Sequence, residues 1–201
     1  MVTDVSFQPL NDYMVSASSD STWSFHNVQQ GVSLAKFEEE APISQIEFHP
    51  DGLVLAVGLK TGVIKVYDIR DQKVAMELQG PQSEVKKIAF SNKGTYLAAA
   101  WKDQDICRIY SLHKQCQFTD IAHGGIAVND ISFDHYGGYL LTSAANQVSF
   151  YQYRTWPKPQ GVIRPFEPNH SLYARFSGSC KHVFAASDIY GSLKVYKLNQ
   201  A

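Results

Sequence analysis

Ile46-Glu47-Phe48-His49-Pro50-Asp51-Gly52 closes a short apolar-alternating segment on a phenylalanine and runs straight into a turn. The pattern returns at Val5-Ser6-Phe7, Ile88-Ala89-Phe90, Ile131-Ser132-Phe133 and Ala174-Arg175-Phe176, so that successive phenylalanines stand 41, 42, 43 and 43 residues apart. A period of roughly 40–45 residues is that of a four-stranded propeller blade. Turns follow the phenylalanines, and four of the five carry the Gly, Pro, Asn or Asp chemistry that hairpins need.

Within the second period the pattern predicts an inner strand over Ile43 to Phe48, a second over Leu53 to Gly58, a third over Val63 to Ile69 and an outer fourth over Val74 to Leu78. The third strand carries a column of paired residues two apart, and so on one face: Trp23 and Phe25, Ile64 and Val66, Cys107 and Ile109, Val148 and Phe150, Leu193 and Val195. Stacked blades would bury these columns. Cys107 is thereby expected to act as a small buried hydrophobe. The fold class is all-β, one propeller array of about five four-stranded blades, with units at 1–39, 40–81, 82–124, 125–168 and 169–201. The first unit opens on an inner strand at Val2 and the last stops after its third strand at Lys197, which leads us to expect part of a larger propeller. Its open arc would invite edge-mediated self-association. The run Phe37-Glu38-Glu39-Glu40-Ala41 reads as a solvated connecting loop.

The 201 residues are 44 % hydrophobic and 12 % aromatic, enough for a substantial core, and the net charge of −1 supplies no field for nucleic acid, so no direct nucleic-acid binding is expected. Three cysteines without CxxC spacing, Cys107, Cys116 and Cys180, suggest neither a disulfide framework nor a zinc site, and fit a reducing, intracellular compartment. No apolar stretch approaches the ~20 residues of a membrane span, so no membrane partner is expected.

The seven histidines are scattered, and no HExxH or Gly-x-Ser-x-Gly pattern appears, so neither catalytic nor metal-binding residues are assigned and no cofactor is expected. His49 and His135 read as turn residues, and Gly124-Gly125 and Gly137-Gly138 as turn glycines. Arg154, Lys158 and Arg164 surround Trp156 and could face an anionic or peptide partner, or form an ordinary edge-strand face.

The units resemble WD40 repeats, whose Trp-Asp pair ends the third strand. Here that pair reads Tyr67-Asp68 in the second unit and decays to His26-Asn27, Tyr110-Ser111, Tyr151-Gln152 and Tyr196-Lys197. The Gly-His before the first strand is equally worn, with Ala122-His123 keeping the His, and the tight-turn Asp survives as Asp20, Asp103 and Asp188 but becomes Thr61 and Asn146 elsewhere. The resemblance implies a seven-bladed ring, with His123, Asp103, Tyr67 and Asp68 in structural hydrogen-bond positions. A narrower resemblance is carried by the first unit's Asp12 to Phe25, by Phe48-His49-Pro50-Asp51-Gly52-Leu53, and by the contracted turn within Tyr139 to Val148. These stretches are similar to the C-terminal WD40 domains of nuclear splicing factors that carry a U-box ubiquitin ligase elsewhere. That resemblance implies a recognition module for spliceosomal proteins and ubiquitination substrates, with a link to DNA repair and no ligase activity of its own. In such propellers the partner rim is formed by loops near the axis, here containing Asp20, Lys60, Trp101, Lys102, Asn146, Asp188 and Tyr190. Trp101 belongs to that rim if exposed, or packs beneath a neighbouring loop. The competing readings are a WD40 scaffold in a different assembly and a propeller enzyme with His and carboxylates around its axial channel.

Overall fold

The computed structural model describes residues 1–145, 147–165, 172–178, 182–187 and 191–197. The first blade consists of β1 (Val2–Phe7), β2 (Tyr13–Ser18), β3 (Thr22–Asn27) and β4 (Val32–Glu38). The second has β5 (Ile43–Phe48), β6 (Val54–Leu59), β7 (Ile64–Asp68) and β8 (Lys73–Leu78), and the third β9 (Val85–Phe90), β10 (Tyr96–Trp101), β11 (Ile106–Ser111) and β12 (Cys116–Ala122). The fourth has β13 (Val128–Phe133), β14 (Tyr139–Ala144), β15 (Gln147–Gln152) and β16 (Pro159–Ile163), the fifth β17 (Leu172–Phe176), β18 (His182–Ser187) and β19 (Leu193–Lys197). Each sheet is an antiparallel meander in sequence order, four-stranded in the first four blades and three-stranded in the fifth among the described residues. The chain is therefore all-β, with a 3₁₀ turn at Tyr153–Thr155 before β16.

The recurring columns explain how the blades stack. Trp23, Val15 and Ala17 of the first blade pack on Ile43, Ile46 and Val57 of the second. Ile64 and Val66 meet Val85, Ile88 and Leu97 of the third, Cys107 and Ile109 meet Val128 and Ile131 of the fourth, and Val148 meets Leu172, Ala174 and Val183 of the fifth. Each joint thus pairs a third-strand column with the inner-strand column of the next blade. The outermost faces lack such a neighbour among the described residues: Val5 is 43 % exposed where its equivalent Ile46 is fully buried, and Leu193 is 61 % exposed where Ile64 is fully buried.

The inner strands share a second device. The pairing of β1 with β2, β5 with β6, β9 with β10 and β13 with β14 slips by one residue at the same place, leaving Thr3, Ser44, Lys86 and Asn129 as the extra residues. Such a bulge re-aims the side chain it carries and adds local twist. Four consecutive blades therefore turn one polar residue away from the regular alternation at the same end of the inner strands.

Candidate functional site

The bulges bring polar groups together between the second and third blades. Ser44 Oγ donates to the carbonyls of Val85 (2.7 Å) and Gly58 (3.1 Å), and Lys86 Nζ donates to Asn129 Oδ1 at 2.7 Å, bridging towards the fourth blade. Burial holds the Lys86 ammonium below the usual lysine pKa. A cleft of about 330 Å³ opens over this row, lined by Ser44, Gln45, Glu84, Val85, Lys86, Lys102 and Asp103. Lys60 reaches the same place from the β6–β7 turn, its Nζ 3.5 Å from Glu84 Oε1.

Of the residues expected at the rim, Lys60 and Lys102 converge on this cleft, joined by Asp103, for which the repeat resemblance implies a structural position instead. Asp20 stands in the exposed β2–β3 turn, where its carboxylate accepts from the Thr22 hydroxyl (2.6 Å) and backbone N–H (3.0 Å); the Thr22 side-chain bond leads in lowering its pKa. Asn146, Asp188 and Tyr190 lie outside the described residues. Trp101 is corrected from rim to core: it is 0 % exposed, and its Nε1 donates to the Gly62 carbonyl at 3.0 Å. The ring fills the space above Gly80, where even a Cβ would come within 2.3 Å of it.

The worn repeat residues are tethered by other means. His123 presents Nδ1 to the Asp105 carbonyl (3.3 Å), so its neutral ring accepts from the Thr142 hydroxyl at Nε2 (2.7 Å), with the Tyr151 hydroxyl at 3.5 Å. Burial lowers the His123 pKa. The loop-holding carboxylate in this blade is Asp105, whose Oδ2 accepts from Gly125 N at 2.7 Å, rather than Asp103, which occupies a left-handed turn position at φ 57°. Tyr110 donates to the Gln79 carbonyl at 2.7 Å, and Ser16 pairs with His26 at 2.9 Å. Tyr67 donates to Glu39. Asp68 stands apart from that bond, paired with Arg70 at 2.7 Å, whose guanidinium holds its pKa down at about 2.

Glu39 overturns the expectation of a solvated loop. Its side chain is buried, and it accepts from Trp23 Nε1 (3.2 Å), the Tyr67 hydroxyl and Lys65 Nζ (3.0 Å). Glu40 beside it remains exposed and also binds Lys65. The local charge run carries no signal separating the two acids, because the donors arrive from β3 and β7.

Along the inner strands, Glu47 and Asp130 have pKa values raised first by burial, opposed by Lys87 for Glu47 and by Arg175 for Asp130. Arg175 pairs with Asp130 at 3.0 Å. Among the described residues no group of three or more His, Cys, Asp or Glu is placed to hold a metal ion, and no helix is long and apolar enough to cross a membrane. The arrangement offers mixed charge and hydrogen-bonding groups around a shallow cleft, which suits recognition of a polypeptide.

A family model for the nucleolar protein 10-like N-terminal domain, a β-propeller, matches residues 11–153. Among curated proteins, the chain is 29 % identical over 178 residues to pre-mRNA-processing factor 19 of Dictyostelium discoideum, a match covering 85 % of this chain and 33 % of that protein. It is 34 % identical over 154 residues to pre-mRNA-processing factor 19 homolog 2 of Arabidopsis thaliana, covering 75 % and 28 % respectively. Against the Caenorhabditis elegans factor it is 42 % identical over 78 residues, 37 % of this chain and 16 % of that protein. The matched region thus spans at most about a third of these relatives' length. The propeller named by the family model agrees with the geometry above. The chain belongs to the nucleolar protein 10-like β-propeller domain family and, over most of its length, is homologous to the pre-mRNA-processing factor 19 proteins.

Proposed function

We propose that this propeller is the recognition domain of a pre-mRNA-processing factor, holding spliceosomal proteins and ubiquitination substrates at its loop-bearing end. Ligase chemistry is assigned to a U-box elsewhere in the parent protein, which acts in the nucleus in spliceosome assembly and, through the same domain, in DNA repair. The observation that carries the reading is the similarity to pre-mRNA-processing factor 19 relatives across 75–85 % of the chain. The cleft between Ser44, Lys86 and Lys102 supports it by offering a peptide both charge signs and backbone-like hydrogen-bond partners. Lys60 and Lys102, with Asp103 beside them in the cleft and Asp20 in the β2–β3 turn, are assigned to partner contact; Asn146, Asp188 and Tyr190, which the sequence also proposes for the rim, lie outside the described residues.

The test is capture from nuclear extract with the tagged chain, the bound proteins identified by mass spectrometry. Spliceosomal proteins should be retained by the native chain and lost by a Lys60→Glu, Lys102→Glu double variant of unchanged Tm, while the chain alone transfers no ubiquitin with activating and conjugating enzymes present. Capture of no spliceosomal protein, or ubiquitin transfer by the chain alone, overturns the reading. A second reading, a WD40 scaffold in another intracellular complex, is favoured by the match to the nucleolar protein 10-like family. It predicts a captured set free of splicing factors.

A further inference from the structure

The opposite end of the third and fourth blades carries a cluster of five aromatic rings that the rim does not use. Trp156 packs edge-on against Tyr96 (centroids 5.4 Å apart, planes at 82°) and Tyr153 (5.5 Å, 86°), and is flanked by Phe118 at 6.2 Å and Phe133 at 6.4 Å. The Tyr96 and Tyr153 hydroxyls are 3.0 Å apart. A cleft of about 210 Å³ lies against Tyr96, Phe133, Tyr153 and Trp156, bounded by Lys93 and Gly137. That is below the roughly 300 Å³ at which small-molecule pockets begin, and is room for a side chain or two.

Charge distinguishes this end from its equivalent on the first two blades. The turns here carry Lys93, Lys114, Arg154 and Lys158, all exposed and none in an ion pair among the described residues. The one carboxylate in these turns, Asp134, is buried and accepts from Tyr139 N at 2.8 Å. The equivalent turns of blades one and two hold Asp12, Asp51 and Asp71, and their one cation, Arg70, is paired with Asp68. Arg164, expected beside Trp156, sits instead at the far end of β16, where it bonds Gln147 at 3.4 Å.

The indole nitrogens give a second, independent observation. Trp23 Nε1 donates to Glu39 and Trp101 Nε1 to the Gly62 carbonyl, yet Trp156 Nε1 is buried with no acceptor. A buried donor left unmade costs free energy, so Trp156, alone of the three indoles, is not anchored through its nitrogen.

We propose that this cleft is a second docking site, for an extended, acidic, proline-containing peptide. Such a segment adopts polyproline II geometry, leaves its carbonyls free to accept, and lays proline rings against Tyr and Trp side chains. Its carboxylates would meet the four unpaired cations. Single-stranded nucleic acid binding rests on many phosphate contacts; four cations around a cleft with room for a side chain or two, on a chain of net charge −1, favour the peptide.

Fluorescence anisotropy on the whole chain tests the site with three labelled probes: a Glu-Pro repeat peptide, a Gln-Pro peptide of the same length, and oligouridylate. The Glu-Pro probe should bind in a salt-sensitive manner, with the Gln-Pro probe weaker by about tenfold or more. Tyr153→Ala should weaken Glu-Pro binding by at least about tenfold, as truncation of a central aromatic anchor does. A Lys93→Glu, Arg154→Glu double variant should do likewise at unchanged Tm, whereas Lys60→Glu, Lys102→Glu at the rim should leave binding unaltered. Equal binding of the Gln-Pro peptide, preference for oligouridylate, or indifference to the charge reversals overturns the proposal. Because the rim variant is the one that tests spliceosomal capture, failure of either site is read separately from failure of the other.

Discussion

Tyr67 and Trp23, which sit on different blades, both donate to the single carboxylate of Glu39 in the loop that joins those blades. Lys65 adds a charge-assisted bond to the other oxygen. Glu39→Ala would strand the Trp23 and Tyr67 donors and leave Lys65 only its exposed Glu40 partner, and should cost about 2–4 kcal/mol. Tyr67→Phe, which leaves Glu39 two partners, should cost about 1 kcal/mol. Chemical denaturation of the two variants checks the ratio; equal losses would mean that the Trp23 and Lys65 bonds add nothing to the Tyr67 one.

Gly80 should tolerate no side chain. An added Cβ would lie 2.3 Å from the Trp101 ring and 2.6 Å from the Gly62 carbonyl that this ring bonds. Gly80→Ala is expected to lose about 3 kcal/mol, at the upper end of overpacking penalties, and to shift the tryptophan fluorescence as the indole is displaced. Gly178→Ala, where nothing lies within 4 Å of the added atom, should leave Tm unchanged.

His123 predicts a pH dependence of definite sign. Burial depresses its folded-state pKa below the ordinary 6.5, so near and below that value the unfolded chain binds the extra proton. The stability it contributes is present above about pH 6.5 and is lost as the pH falls towards its folded value. The backbone carbonyl and charge of Asp105 partly oppose the shift. Thermal melts of the native chain should decline between about pH 7 and 5, and His123→Gln should flatten that decline while lowering stability at pH 7.5 or so.

The cysteines should differ in reactivity. Cys107 is fully buried in the joint between the third and fourth blades, and burial pushes its thiol pKa up, whereas Cys116 is exposed at the start of β12. Alkylation of the native chain followed by peptide mass mapping should modify Cys116 and spare Cys107 until denaturant is added. Modification of Cys107 at the rate of Cys116 would show that this joint opens.

The strand order and the blade joints were legible because they rest on local periodicity. The recurring phenylalanines mark the inner strands, and the two-residue columns name the residues that fill each joint. What spacing does not carry is contact between residues far apart in the chain. Glu39 reads like Glu38 and Glu40 until Trp23 and Tyr67 are seen to converge on it, and Trp101 reads as a loop residue until Gly80 leaves room for its ring. The bulge residues Ser44 and Lys86 carry no local signal for a related reason: a one-residue slip in pairing breaks the alternation that assigns a residue its face. Asp105 replaced Asp103 as the loop anchor because the turn adopts a left-handed residue at 103, displacing the useful carboxylate by two positions.

The exposed sides of the first and last blades are the two halves of one generic joint, inner-column on Val5 and Phe7, third-strand column on Leu193 and Val195. Since every internal seam uses this same match of side chains, no seam encodes its own ordinal place in the circle. The circumference of such a wheel is then dictated by how many copies of the module the polypeptide provides and by the angle each wedge subtends. Adding or deleting one whole period should be tolerated far better than adding or deleting half of one.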